Sequence, residues 1–156
     1  MLHIANSLGQ IQFAQLMEVY LQGNQEKDGG LLQAEQDFYQ YLREDFFCVG
    51  QAYYAIWVVN GQYVSALRIE PYRDGVLLEA LETAPHCRRR GYARSLMHEV
   101  LKREQKVYYH VAKDNTASLR VHEQCGFRRI SEQAVYIDGS VNSRCCTLCY
   151  ENDVSE

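Results

Sequence analysis

No stretch of the sequence approaches 18 consecutive apolar residues, so nothing in it predicts a membrane-spanning helix. The first residues, Met1-Leu2-His3-Ile4-Ala5-Asn6, lack the basic head and long apolar core of an export signal, which points to a cytoplasmic protein. A surplus of positive charge is also missing. The net charge of −4 argues against a general nucleic-acid binder, because affinity for a phosphate backbone needs excess Lys and Arg on one face. The run Arg88-Arg89-Arg90 is too short to reverse that balance. No internal repeat, low-complexity tract or interdomain linker divides the 156 residues, so the expectation is one domain over 1–156. A chain of this length buries about two-thirds of its unfolded surface. With 47% hydrophobic and 23% charged residues it has the composition of an ordinary globular protein rather than a disordered one.

Cysteine is present, but not in a pattern that implies disulfides or a metal. In a reducing compartment the six residues, Cys48, Cys87, Cys125, Cys145, Cys146 and Cys149, stay as thiols. The last three lie in a predicted strand, where Cys145 and Cys149 share one face and Cys146 takes the other, so one ion would not easily gather all three. Buried structural thiols are the expectation, and no metal site is assigned.

Apolar positions at helical spacing predict a helix over residues 8–22, stopped by Gly23-Asn24, and a second between Gly29-Gly30 and Phe46. From Gln51 the pattern turns to β-branched and aromatic residues. Tyr53–Val59 and Gln62–Glu70 flank Asn60-Gly61, whose residues suit the positive φ of a tight hairpin turn. Strand Val76–Thr83 follows and ends before Pro85. Beyond it come a helix after Gly91, strand Val107–Ala112, a short helix Thr116–Gln124, and strands Arg128–Tyr136 and Arg144–Tyr150 joined through Asp138-Gly139. The fold class expected is mixed α/β: a mostly antiparallel central sheet with flanking helices.

The densest chemistry lies between a strand and a helix, in Arg88-Arg89-Arg90-Gly91-Tyr92-Ala93-Arg94. Small residues at 91 and 93 let a ligand approach the backbone, and the first N–H groups of the next helix have no partners within it. With the helix dipole and the arginines, a phosphate or pyrophosphate is the natural ligand; a solvated basic turn with a packing glycine is the plain alternative. The pattern matches neither Gly-x-Gly-x-x-Gly nor a P-loop.

Arg-x-x-Gly-x-Ala, preceded by Pro85, resembles the acetyl-CoA pyrophosphate loop of the GCN5-related N-acetyltransferase (GNAT) family. A second element, Asn115-Thr116-Ala117-Ser118-Leu119-Arg120-Val121-His122-Glu123-Gln124-Cys125-Gly126-Phe127, is similar to that family's Asn-x-x-Ala/Ser-x-x-aliphatic-Tyr-x-x-x-Gly-Phe. The resemblance covers about residues 51–150. It implies the acyl-CoA N-acyltransferase fold, acetyl-CoA as cosubstrate, no metal, and transfer of acetyl to the primary amine of a small molecule or peptide by direct attack in a ternary complex. Neither a nucleic-acid nor a membrane partner is implied, and a homodimer is compatible with it.

The resemblance also implies roles. Main-chain groups of Leu81 and Thr83 would meet the pantetheine arm and thioester. Amides of Arg89, Arg90, Gly91, Tyr92, Ala93 and Arg94 would hold the pyrophosphate, with Arg88 adding charge. Asn115 and Ser118 would touch the pantetheine or adenosine end. Glu79 is the candidate base, placed by strand alternation on one face with Leu81 and Thr83; Glu82, on the other face, is the reserve. His122 stands where the family commonly has a Tyr that protonates the departing thiolate, and an imidazole can do the same; Tyr92, Tyr108, Tyr109 or a water are the alternatives. Arg89 stands where Gly is usual. Among the twelve tyrosines and the other aromatics, Phe38, Tyr41, Tyr53, Trp57 and Tyr136 are candidates to line an acceptor pocket. A non-catalytic acyl-CoA-binding domain of the same fold is the second reading. A nucleotide- or RNA-binding module resting on the arginine run is the third.

Overall fold

The structure is a computed structural model that describes residues 1–20 and 29–152. The predicted stop at Gly23-Asn24 lies outside the described residues, as do the side chains of Leu31 and Leu32. Seven strands form one sheet: β1 (Leu2–Ala5), β2 (Tyr53–Val59), β3 (Gln62–Tyr72), β4 (Gly75–Thr83), β5 (Lys106–Ala112), β6 (Arg128–Ser131) and β9 (Cys145–Glu151). Their spatial order is β1-β2-β3-β4-β5-β9-β6, and β4–β5 is the one parallel pair in it. A two-stranded ribbon of β7 (Ala134–Val135) and β8 (Val141–Asn142) stands apart. The mixed, mostly antiparallel α/β architecture is the one expected.

Helices α1 (Phe13–Tyr20) and α2 (Gly29–Glu44) cover one face. Leu16, Met17, Val19, Leu42 and Phe46 pack there on Tyr54, Ile56 and Ala66. On the other face, α3 (Tyr92–Leu101) sets Leu96, Met97, Val100 and Leu101 against Ala55, Leu67, Ile69 and Leu78. The spacing of these four is the one-face pattern of a helix, and burying each contributes about 1.5–3 kcal/mol. Helix α4 (Thr116–Gln124) joins this layer through Leu119 and Val121.

Three local readings are corrected. The helix expected over 8–22 is a single 3₁₀ turn, Leu8–Gln10, then α1; between them Ile11 is extended (φ −115, ψ 132) and the Gln12 amide donates to the Tyr63 hydroxyl. The tertiary contact breaks a pattern that periodicity alone reads as continuous. The strand expected over 128–136 is interrupted at Glu132-Gln133, where the Gln133 amide turns onto Ser131 Oγ and Arg129 pairs with Glu132. Strand β1, missed in the sequence because four residues carry too short an alternation, pairs with β2 from Leu2↔Trp57 to Ala5↔Tyr54. The hairpin turn is as expected, with Asn60 at φ 50 and Gly61 at φ 77.

Gly75 opens β4 where it meets β5, and a Cβ there would collide with the backbone carbonyl of Lys106. Gly75→Ala is therefore expected to lower stability by about 1–3 kcal/mol, since backbone cannot move aside as a side chain can. A shift in the denaturation midpoint at unchanged slope would report it.

The candidate active site where two parallel strands part

Strands β4 and β5 pair only from Val76↔Val107 to Leu78↔Tyr109. Past Leu78, β4 continues to Thr83 on β3 alone, while β5 runs on beside β9. The parting leaves a cavity of about 300 Å³, lined by Arg68, Leu77, Leu78, Glu79, Ala80, Leu81, Tyr109, His110 and Tyr136.

A β-bulge sets the lining. Ala66 faces Glu82 and Arg68 faces Glu79, so Ala80 and Leu81 together oppose the single residue Leu67. Ala80 has φ 52, a left-handed conformation that a non-glycine residue adopts at some cost. The extra residue reverses the facing read from alternation. Leu81 packs with the α3-side core, whereas Glu79 and Glu82 lie opposite Arg68 and Ala66 and share the α1 face. Glu79 and Leu81 thus do not share a face, and Glu82 is not on the opposite one from Glu79.

On the α1 face, a half-buried cluster of basic and acidic groups is built around the cavity. The Arg68 guanidinium carbon lies 5.2 Å from the centroid of Tyr41, 5.8 Å from Phe46 and 6.0 Å from Phe38. Glu79, half-buried, has its carboxyl pushed up to about 8 by burial first and then by a shared proton and charge from buried Glu70, against the pull of Arg68. Its Oε1 is enclosed and unpartnered, as is Arg68 Nε. The Tyr20 hydroxyl donates to the Ala80 carbonyl at 2.7 Å, and the Tyr54 hydroxyl donates to Tyr20 at 3.0 Å. His110 places Nδ1 2.8 Å from Thr147 Oγ1; that hydroxyl donates to the Gln133 carbonyl, so Nδ1 is the protonated ring nitrogen. Burial holds the ring below the usual histidine range, with the Val135 carbonyl offsetting part of that effect.

On the α3 side, His122 is 1% exposed and stacks on Tyr109, ring centroids 3.8 Å apart and planes within 10°. Its Nδ1 lies 2.8 Å from the Ser118 carbonyl, which only accepts, so Nδ1 carries the proton of the neutral ring and Nε2 has none to give. Burial depresses its pKa. His122, expected from the sequence as the proton donor, is thus a buried ring stacked behind Tyr109 and does not itself line the cavity. Tyr109 lines the cavity with its phenol held protonated by burial, its hydroxyl 3.2 Å from Ser118 Oγ. Asn115 spends its side chain on the Ser118 amide as the cap of α4.

The basic loop forms a second cavity of about 400 Å³ at the start of α3, lined by Thr83, Arg88, Arg89, Gly91, Tyr92, Ala93 and Arg94 together with Cys87 and Val121. Gly91 is left-handed at φ 80, and a Cβ built on it meets nothing within 4 Å, so open space faces the free amides of the helix. Arg88 is turned back onto Glu82 at 3.3 Å, Arg94 donates to Gln124 at 2.7 Å, and Arg89 and Arg90 are exposed. Arg89 sits at φ 65, which explains why its place suits glycine. Space, donors and charge fit a pyrophosphate. Thr83 lines this cavity and Leu81 the other, so β4 connects them.

Residues that the sequence did not single out include Arg68, Glu70, Tyr20 and Tyr54; an Arg and a Glu two residues apart on a strand were the only signal. Of the aromatic candidates, Tyr136 lines the cavity and Phe38 and Tyr41 surround Arg68, while the Tyr53 hydroxyl donates to Glu104 and Trp57 packs in the core layers. Of the terminal cysteines, Cys146 and Cys149 are buried.

Known structures share this fold. PaiA N-acetyltransferase from Thermoplasma acidophilum, in complex with coenzyme A, superposes with a TM-score of 0.66 at 10% identity over 97% of this chain and 99% of that one. The ribosomal-protein-S18-alanine N-acetyltransferase from Escherichia coli gives 0.65 at 15% identity, over 100% and 97%. A GNAT family acetyltransferase from Elizabethkingia anophelis with acetyl-CoA bound gives 0.64 at 14%, over 97% of each chain. No curated protein matches the sequence significantly. The model of the Acetyltransferase (GNAT) family matches residues 14–127, and with the loop, the parted strands and the fold in agreement, the chain belongs to the GNAT acetyltransferase family.

Proposed function

We propose that the protein is an acetyl-CoA-dependent N-acetyltransferase, with coenzyme A running from the loop of α3 to the parting of β4 and β5, and a primary amine entering the Glu79 cavity. The observation that carries this reading is the junction itself. One strand, β4, lines an anion-binding loop at Thr83 and, at Glu79–Leu81, a cavity holding a carboxyl tuned near neutrality on one side and a protonated phenol on the other. Bound acetyl-CoA supplies an acetyl thioester, whose exchange onto an amine leaves one proton to be taken from nitrogen and one to be delivered to sulfur.

The chain provides both. Glu79 takes the nitrogen proton when its carboxyl is ionised; a base with a pKa close to working pH combines availability with driving force. Tyr109 delivers the other, and the stacked His122 ring with Ser118 Oγ fixes its orientation. The amides at Arg89–Arg94 hold the pyrophosphate as in any open helix N-terminus.

The direct test is release of free thiol from acetyl-CoA across a panel of amines. Release that depends on one amine class establishes the activity; tight binding of acetyl-CoA with no release from any amine leaves a non-catalytic acyl-CoA-binding domain. Tyr109→Phe is expected to lower kcat by about 10²-fold with little change in the affinity for acetyl-CoA, the loss typical of one missing proton-transfer group. His122→Phe keeps the stack and is expected to lose far less. The reverse order of these two effects would return the acid role to His122.

A further inference from the structure

The bulge at Ala80 is strained, off the sheet register and held by a side chain from another layer. Its carbonyl accepts from Tyr20 of α1 at 2.7 Å; Tyr20 in turn accepts from Tyr54 of β2 at 3.0 Å. Behind Tyr54 lies the Arg68 guanidinium, a half-buried cation seated among three aromatic rings, whose charge acts on the Tyr54 phenol. Hydrogen-bond direction is fixed along this chain, because a carbonyl only accepts. Tyr20 must give its one proton to Ala80, so Tyr54 must give its proton to Tyr20. Every donor therefore points towards the peptide between Ala80 and Leu81.

In a trans peptide the N–H lies antiparallel to the C=O. No cis peptide bond is found among the described residues, so the Leu81 N–H points away from α1, towards the layer that holds Tyr109. Both Leu81 and Tyr109 line the cavity between the parted strands.

We infer that Tyr20, backed by Tyr54 and Arg68, is a positioning residue that fixes the bulged peptide and polarises the Leu81 N–H as the hydrogen-bond donor to the thioester carbonyl oxygen. Two physical effects act together. A carbonyl bonded at its oxygen makes the N–H of the same peptide a better donor, and a chain of aligned hydrogen bonds strengthens each link, here with a positive charge behind it. The latch also pins Ala80 in a left-handed conformation that would otherwise relax, and a preorganised donor costs no reorientation when negative charge builds on the carbonyl oxygen. Helix α1 thus acts on the chemistry without touching it. The inference rests on the acetyltransferase reading for its consequence, but not for the existence of the relay.

The experiment compares the intact protein with Tyr20→Phe and Tyr54→Phe by two readouts that a purely structural role would leave alone. The first is the Leu81 amide proton resonance of the unliganded protein. The second is the carbonyl stretching band of acetyl-CoA labelled with carbon-13 at the acetyl carbonyl, bound to each variant. Both variants are expected to move the Leu81 amide proton upfield and to raise the bound carbonyl band towards its position in water. Tyr20→Phe should do so more, with kcat lower by about tenfold, since the donor is weakened rather than removed, and unchanged affinity for coenzyme A. An unmoved Leu81 resonance in a folded variant overturns the relay. An unmoved carbonyl band with a displaced Leu81 resonance overturns its catalytic consequence. Should Tyr20→Phe not fold, Tyr54→Phe breaks only the second link and reads the same signals. If the intact protein binds no acetyl-CoA, the acetyltransferase reading fails, while the Leu81 resonance still decides the relay.

Discussion

Replacing Gly91 by glutamate is expected to abolish measurable binding of coenzyme A while leaving the fold in place. The left-handed φ of 80 makes any side chain there costly by about 1 kcal/mol, a loss the whole molecule can absorb. The space facing that position is open, so the new carboxylate meets no steric obstacle and projects where the loop amides would hold a pyrophosphate. Two like charges about 4 Å apart at a partly screened surface repel by about 4 kcal/mol, which corresponds to roughly 10²–10³-fold in affinity. Gly91→Ala is the control: it carries the backbone cost without the charge and should bind within a fewfold of the unmodified protein. Calorimetric titration with coenzyme A separates the two. Equal losses in both variants would mean that backbone conformation, not anion binding, is what the glycine supplies.

Removing the carboxylate at Glu79 should cost the most at the chemical step. Glu79→Gln is expected to lower kcat by about 10²–10³-fold with a smaller change in affinity for acetyl-CoA, in the range typical of a lost general base. The pH dependence carries a sign. With its carboxyl pushed up to about 8, Glu79 is protonated over most of the neutral range, so kcat/KM should climb with pH and level off above about 8. An ionising amine substrate would produce a similar limb. Glu70→Gln distinguishes the two, because it removes the neighbour that raises Glu79 and moves the limb to lower pH, whereas a limb belonging to the substrate stays in place. Stability follows by linkage. The folded protein retains at Glu79 a proton that the unfolded chain, with an ordinary value of 4.5, has released. The stability this group contributes is fully present below about 4.5 and is lost as pH rises through about 8. In Glu79→Gln that part of the decline should vanish, as read from denaturation midpoints across the same pH range.

Much of the molecule was legible because the relevant signals are local. Asn60-Gly61 specifies its hairpin through the φ values it tolerates, and Thr116–Gln124 is bounded by an Asn cap and a glycine that each act within a few residues. The loop from Arg88 to Arg94 lies where strand gives way to helix, and its glycine is left-handed as the motif requires. The place of Glu79 on the strand before that loop was legible too, but the face it shares with its neighbours was not.

What failed did so where one residue shifts the count. Strand alternation assigns faces only while pairing is unbroken, and nothing about Ala80 announces a bulge, since alanine has no special preference for positive φ. The inserted residue put Glu79 and Leu81 on opposite faces, while the unbroken register before it sets Glu79 across from Arg68 and near Glu70, which tunes its proton affinity. His122 occupies the aligned position of a familiar tyrosine, yet burial and the Ser118 carbonyl leave Nε2 without a proton, and a tyrosine from the neighbouring strand presents the hydroxyl instead. The sequence by itself determined most of the elements, the hairpin turn, the cap of α4 and the left-handed glycine of the basic loop, because those rest on backbone preferences of neighbouring residues. Only the tertiary structure decided which carboxyl is raised by burial and a neighbour, which ring lines the cavity and which peptide carbonyl a tyrosine from α1 holds, because register, burial and contacts between layers fix these across 30 to 60 residues of chain.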